Sequence, residues 1–138
     1  MDGRFRGNTV EVDLEIISPI ESKIRRTLAV GVDTGFTGDL CMTYQQAFPL
    51  ALTLIGVQDY SIADGTKVTF FECLGLVNFG GKEVTCSISI RPDGSLLMGV
   101  SLLRKLGKKM EIDFVNETVK FVDTQIVKGK DVKLVTSK

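Results

Sequence analysis

The triplet Asp33-Thr34-Gly35 is the part of this chain best suited to chemistry. It follows the apolar run Leu28-Ala29-Val30-Gly31-Val32 and precedes Phe36-Thr37-Gly38. An ionised carboxylate at the rim of a core is costly unless it is paired or hydrogen-bonded. A group held there is therefore suited to acid–base work rather than to simple solvation. The triplet has a plainer use too, because a turn Asp accepts backbone N–H bonds and Gly relaxes the chain around it. A second motif, Leu96-Leu97-Met98-Gly99, lies further on, with aliphatic residues running into a glycine.

The remaining inventory narrows the chemistry. The chain contains no His, which removes Ser-His-Asp and Cys-His nucleophiles, HExxH zinc sites and most imidazole ligand sets. Acid–base groups working near neutral pH must then be carboxylates, Lys, Tyr or Cys. Cys41, Cys73 and Cys86 are too widely spaced for a CxxC pair, and an odd count fits buried reduced thiols better than a disulfide framework. No metal site and no cofactor are expected.

Lys plus Arg and Asp plus Glu number 17 each, so the formal net charge is zero. That balance argues against a nucleic-acid surface or a polybasic membrane anchor. The stretch Cys41 to Gln58 is uncharged but broken by Pro49, Gln and Thr, and it falls short of the ~20 apolar residues a span needs. Met1 to Arg6 carries no apolar signal core, so a cytoplasmic location is expected, with neither membrane nor nucleic acid as partner. At 138 residues the chain is read as one domain, with a core over about 8–122 and a basic C-terminal extension, 123–138.

The elements that must hold Asp33 are mostly strands. Val10, Val12, Leu14 and Ile16 alternate with Glu11, Asp13 and Glu15, the period of a strand with one buried face. Pro19 ends it. Lys23 to Val32 reads as a second strand, polar at first and fully buried at its end. Thr43 and Gln46 match a capping box for a short helix ending near Phe48, before Pro49. Tyr60 to Val68 reads as a hairpin whose Asp64-Gly65 suits a type I′ turn. Strands follow over Phe71 to Asn78 and Glu83 to Ile90, separated by Gly80-Gly81. Pro92-Asp93-Gly94 is a turn before a short strand, Ser95 to Met98. Ser101 is a plausible N-cap for a helix stopped by Gly107. Met110 to Phe114 and Val119 to Val122 form a last pair around Asn116-Glu117. The fold class is all-β with one or two short helices.

These motifs, in this order and spacing, resemble the retropepsin-like (clan AA) aspartic proteases. The likeness runs through Ala29 to Gly35, the Asp64-Gly65 hairpin and Leu97-Met98-Gly99-Val100-Ser101-Leu102-Leu103, and spans about residues 8–122. More narrowly the chain is similar to small prokaryotic proteins of this type, whose loop often reads Asp-Thr-Gly-Phe-Thr-Gly and whose flap often carries Ala-Asp-Gly. Viral members usually have a small residue where Phe36 stands.

The resemblance implies a closed acid-protease β-barrel, a single lobe with a flap hairpin, and aspartic endopeptidase activity. The catalytic residues would be Asp33, Thr34 and Gly35, with Phe36, Thr37, Ile62, Ala63, Asp64, Gly65, Leu97 and Met98 against a peptide or protein substrate. Such enzymes need two carboxylates about 3 Å apart sharing a proton. Asp123-Thr124-Gln125, the nearest second candidate, lacks the Gly and follows an edge strand. One Asp-Thr-Gly per chain therefore implies a homodimer with the site on its two-fold axis. Met1 to Arg6 and Gln125 to Val135 are candidates for a sheet across that interface, as in viral relatives. The alternatives are a catalytically silent dimerisation or peptide-binding module of the same fold, and an unrelated β-barrel binding protein.

Overall fold

The computed structural model describes residues 2–61, 63–92 and 94–124. Along these run β1 (Asp2–Arg6), β2 (Thr9–Ile17), β3 (Arg25–Val32), β4 (Leu40–Thr43), helix α1 (Tyr44–Ala47), a 3-10 turn (Phe48–Leu50) and β5 (Thr53–Ser61). Then come β6 (Lys67–Phe79), β7 (Lys82–Arg91), β8 (Leu97–Met98), helix α2 (Val100–Leu106), β9 (Lys108–Asp113) and β10 (Thr118–Asp123). The chain is mostly β. Among the described residues no helix is long and apolar enough to cross a membrane.

Hydrogen-bonded order in the sheet is β5-β6-β7-β4-β8-β3-β2-β1-β10-β9, and β6 also pairs with β2. That added ladder sets Glu15 to Ile17 beside Leu76 to Asn78. The pairings β2–β3–β8–β4–β7–β6 thus return to β2 as a circuit. Inside it, Val12, Leu14, Ile16, Val30, Met98, Val77 and Ile88 have no exposed surface. The alternation read in β2 is the cause, since Glu11, Asp13 and Glu15 fall on the other face. Phe79 and Phe121 meet edge to face at 5.1 Å and join β9 and β10 to this core.

Several expectations need correction. β3 is not fully buried at its end: Ala29 points to solvent and Val32 is half-buried, because period two persists. The hairpin is longer than read, since Val68 and Phe71 to Asn78 lie on one continuous β6 paired to β5 from Leu74 to Lys67. Its loop lies between Ser61 and Lys67. Gly65 has φ +87° but Asp64 does not have positive φ, so the turn is not type I′. Instead Asp64 Oδ1 accepts the Thr66 N–H at 2.8 Å. Pro49 does not stop α1 outright but sits in the 3-10 turn that follows. The N-cap of α2 is Gly99, one residue before the helix, and not Ser101.

Other local readings hold. Thr43 and Gln46 form the capping box reciprocally, and Gly107 closes α2 at φ +66°. Asp2–Arg6, read as a candidate dimer segment, pairs within its own chain between β2 and β10. Arg4 and Arg6 secure it with ion pairs to Glu11 and Asp13. Gly3 lies in this strand because a Cβ there would come within 2.7 Å of the Glu11 carbonyl. Ile62, Asp93 and Gln125 to Val135 lie outside the described residues.

Candidate active site

β3 ends beside β8. Gly31 and Val32 pair in parallel with Leu97 and Met98, which brings the two sequence motifs together. The Gly31 N–H donates to the Leu96 carbonyl at 2.9 Å, and the Asp33 N–H to the Met98 carbonyl at 3.0 Å. The loop after Asp33 is then tied back to the start of α2. Gly99 N–H donates to the Asp39 carbonyl and Val100 N–H to the Phe36 carbonyl, both at 2.9 Å. Gly99 has φ −109°, open to any residue. Its glycine is demanded by space, because a Cβ would lie 2.4 Å from the carbonyl oxygens of both Phe36 and Gly38.

The Asp33 carboxylate is half-buried at the mouth of this loop. Its Oδ1 accepts the Gly35 N–H at 2.9 Å, and its carbonyl accepts the Phe36 N–H at 3.1 Å. This is an Asx turn, so the bland role read for the triplet is present. It fixes the side chain and leaves Oδ2 without a hydrogen bond among the described residues. Thr34 and Gly35 are exposed. A Cβ on Gly35 would crowd Oδ1 at 3.2 Å.

Of the residues expected to touch a peptide, Phe36 and Thr37 line a cavity of about 410 Å³ that opens beside this loop. Leu97 is half-buried next to Gly31. Met98 has no exposed surface, so its place is packing beneath the loop rather than substrate contact. Ala63, Asp64 and Gly65 are exposed at the hairpin tip, and no hydrogen bond joins them to the Asp33 loop among the described residues. Asp123, the rejected second carboxylate, is exposed on β10 and ion-paired to Lys108. The three cysteines are buried and free.

The sequence reading missed a polar group directly behind the loop. Asp39 is 5% exposed, and its Oδ2 accepts from Lys105 Nζ at 2.6 Å and from the Ser87 N–H at 2.9 Å. Burial pushes this carboxyl up. The Lys105 ammonium, the Ser87 amide and the nearby Ser101 hydroxyl outweigh burial and hold it below the usual carboxylate range. Oδ1 makes no hydrogen bond of good geometry. A faint signal existed, for Asp39 heads the apolar run Leu40-Cys41-Met42 with no alternation to carry it outward.

Arg91 was missed as well. Its guanidinium carbon lies 5.8 Å from the Phe36 ring centroid and 5.0 Å from that of Phe70. Phe36 can lie there because Gly38 is a glycine: a Cβ would meet the ring at 2.7 Å. A larger cavity of about 670 Å³, lined by Tyr44, Phe48, Leu54, Phe71 and Cys73, is apolar and lies on the opposite face of the β6–β7 ladder. Among the described residues its lining holds no carboxylate or cation. Among the described residues no cluster of three or more His, Cys, Asp or Glu could hold a metal ion.

No protein-family model matches this chain, and no curated protein matches it significantly. Among solved structures, EIAV protease complexed with the inhibitor HBY-793 matches with a TM-score of 0.54. The alignment covers 78% of this chain and all of that one, at 16% identity. The fold is retropepsin-like. At that identity the likeness speaks for the arrangement of strands, and the roles of individual residues rest on the local geometry described above.

Proposed function

We propose that this chain is an aspartic endopeptidase that acts as a homodimer, with Asp33 of each copy forming the catalytic dyad. The observation that carries the reading is the seating of Asp33. In a retropepsin-like fold, a half-buried carboxylate is fixed by the Gly35 N–H at the end of β3 and braced by Met98 and Gly99. The exposure of Thr34 and Gly35 supports approach of a second copy at the same loop. A two-fold contact is self-complementary, so it would bring each Asp33 to its equivalent.

Two carboxylates so close cannot both ionise and would share one proton. The ionised member takes a proton from water as that water attacks the peptide carbonyl. The protonated member gives its proton to the carbonyl oxygen. The other, now carrying water's proton, gives it to the departing amine, and a hydroxyl proton returns to the first member as the tetrahedral intermediate collapses to the acid. On this reading the strand circuit is the closed barrel, and the β5–β6 hairpin is the flap that covers the peptide and excludes water. Main-chain pairing along the hairpin would supply affinity with modest side-chain demand. The cytoplasmic location belongs to the same proposal.

The test is cleavage of an unstructured protein such as casein by the wild-type chain and by Asp33→Asn. Cleavage at some pH between about 3 and 8 that Asp33→Asn abolishes is the expected result. Equal cleavage by both, or none by either, would overturn it and leave a catalytically silent dimerisation or peptide-binding module. Light scattering adds an independent check, since a strict monomer at high concentration leaves Asp33 without its partner.

A further inference from the structure

We infer that the cavity beside the Asp33 loop is a subsite for an acidic side chain of the peptide, and that Arg91 is the residue that selects it. The inference rests on the peptidase reading for the direction of the peptide, but its chemistry stands on the cavity itself. The cavity of about 410 Å³ is walled by the loop residues Phe36 and Thr37, by Phe70 and Glu72 of β6, and by Arg91 of β7. It begins three residues beyond Asp33, on the chain segment whose first N–H is bonded to the Asp33 carbonyl. A peptide lying across Asp33 therefore passes its mouth.

Three features make Arg91 a recognition group rather than a solvated surface cation. First, its guanidinium is held over two rings, Phe36 and Phe70. Stacking over ring faces leaves the edge N–H groups free for bidentate contact with a carboxylate. Second, the clamp is built in, because Gly38 and Gly99 both make room for the Phe36 ring, each at 2.7 Å from where a Cβ would stand. Third, no carboxylate within the described residues pairs with Arg91. Among the described residues its hydrogen bond is a long contact from Nε to Ser89 Oγ at 3.5 Å.

The two acids in the same wall are otherwise engaged. Asp39 is neutralised by Lys105, and Glu72 Oε2 accepts from Ser87 Oγ at 2.8 Å. Glu72 stands opposite Ser89 in the ladder, diagonal to Arg91, yet the two do not form an ion pair. Glu72 keeps its negative charge, and the guanidinium is the cation of this wall that no carboxylate pairs with among the described residues. A Glu or Asp side chain entering from the peptide would complete it with two charge-assisted hydrogen bonds.

The test is a set of peptides differing at one position as Glu, Gln or Lys, with amidated C-termini, offered to wild type, Arg91→Met and Arg91→Glu. Wild type should favour Glu over Gln on the order of tenfold in kcat/KM at one position. Arg91→Met should abolish that preference, and Arg91→Glu should shift it to Lys. Arg91→Lys, which keeps the charge but not the fork, should retain only part of it. Binding of the same peptides to Asp33→Asn, followed by fluorescence anisotropy, separates this inference from the peptidase reading. A Glu preference there that Arg91→Met removes supports the subsite even if no cleavage occurs. Equal binding of Glu and Gln peptides, or a preference for Lys, overturns it.

Discussion

Gly99→Ala is the substitution for which the structure makes the sharpest demand. The added methyl would stand 2.4 Å from the Phe36 and Gly38 carbonyl oxygens, against a floor near 3.0 Å for real contacts. Each carbonyl, or α2 itself, must therefore retreat by at least 0.6 Å, the difference of those two distances. The Phe36 carbonyl accepts the Val100 N–H at 2.9 Å. Added to that, 0.6 Å brings it to 3.5 Å, the edge of hydrogen bonding. Overpacking of this kind costs about 1–3 kcal/mol and the weakened hydrogen bond about 1 kcal/mol more. The smaller entropy of the unfolded Ala chain returns roughly 0.4–1 kcal/mol. A net loss of about 1–3.6 kcal/mol follows, or ~0.5–1.8 M in the urea midpoint for m of about 2 kcal/mol/M. Protein concentration must be held fixed, because assembly would shift the midpoint. Gly81→Ala is the control: its Cβ meets nothing within 4 Å, and it carries only the cost of φ +85°, about 1 kcal/mol. A Gly99→Ala chain within about 0.5 kcal/mol of wild type would refute the claim that the loop is braced at this point.

Gly35→Ala inverts the pattern: its sole close contact is Asp33 Oδ1 at 3.2 Å, so stability should move by less than ~1 kcal/mol while casein cleavage falls at least tenfold. The Asp39 carboxyl is held below its ordinary value, so its stabilisation is complete above pH about 4 and fades as pH falls through its folded value. In Lys105→Met the ammonium's lowering effect is lost while the Ser87 and Ser101 hydrogen bonds remain, so the carboxyl rises from its wild-type position. Urea midpoints measured across pH should then show the variant gaining less stability than wild type as pH rises through about 4, by an amount tempered by the 42% exposure of Lys105. Cys86 is 1% exposed and burial pushes its thiol to about 12, so iodoacetamide at pH 8 should leave it unlabelled until denaturant unfolds the chain, as read by mass spectrometry. Thr43→Ala removes the cap of α1 and should lower the thermal midpoint in proportion to ~0.5–1 kcal/mol, modest because the Thr43 bond is 3.4 Å long.

What was legible in the sequence is what depends on neighbours in the chain. The alternation of Val12, Leu14 and Ile16, the Thr43–Gln46 box, the Gly80-Gly81 turn and the Gly107 stop each act within a few residues, and each formed as read. Asp33 was legible for the same reason, since a carboxylate after an apolar run between glycines marks a strand end. The errors came where a long-range partner decides. Asp64-Gly65 alone suits a tight turn, but the pairing of Ser61 with Lys67 leaves a wider loop. Ser101 suits an N-cap, but the cap falls at Gly99 because a residue without a Cβ is needed beside the Phe36 and Gly38 carbonyls.

The tertiary structure alone decided how the site is furnished. Parallel pairing of β3 with β8 and of β4 with β7 joins segments more than forty residues apart, through connections that no local period encodes. That pairing carries Asp39 onto Lys105 and sets Phe36, Phe70 and Arg91 around one cavity. None of these is unusual in its own stretch of chain. Thus the sequence by itself determined that a carboxylate would be presented on a strand end, because backbone conformation and burial pattern are local. Which charges and rings line the cavity beside its loop is a property of closure, because only the folded sheet brings them within contact distance of one another.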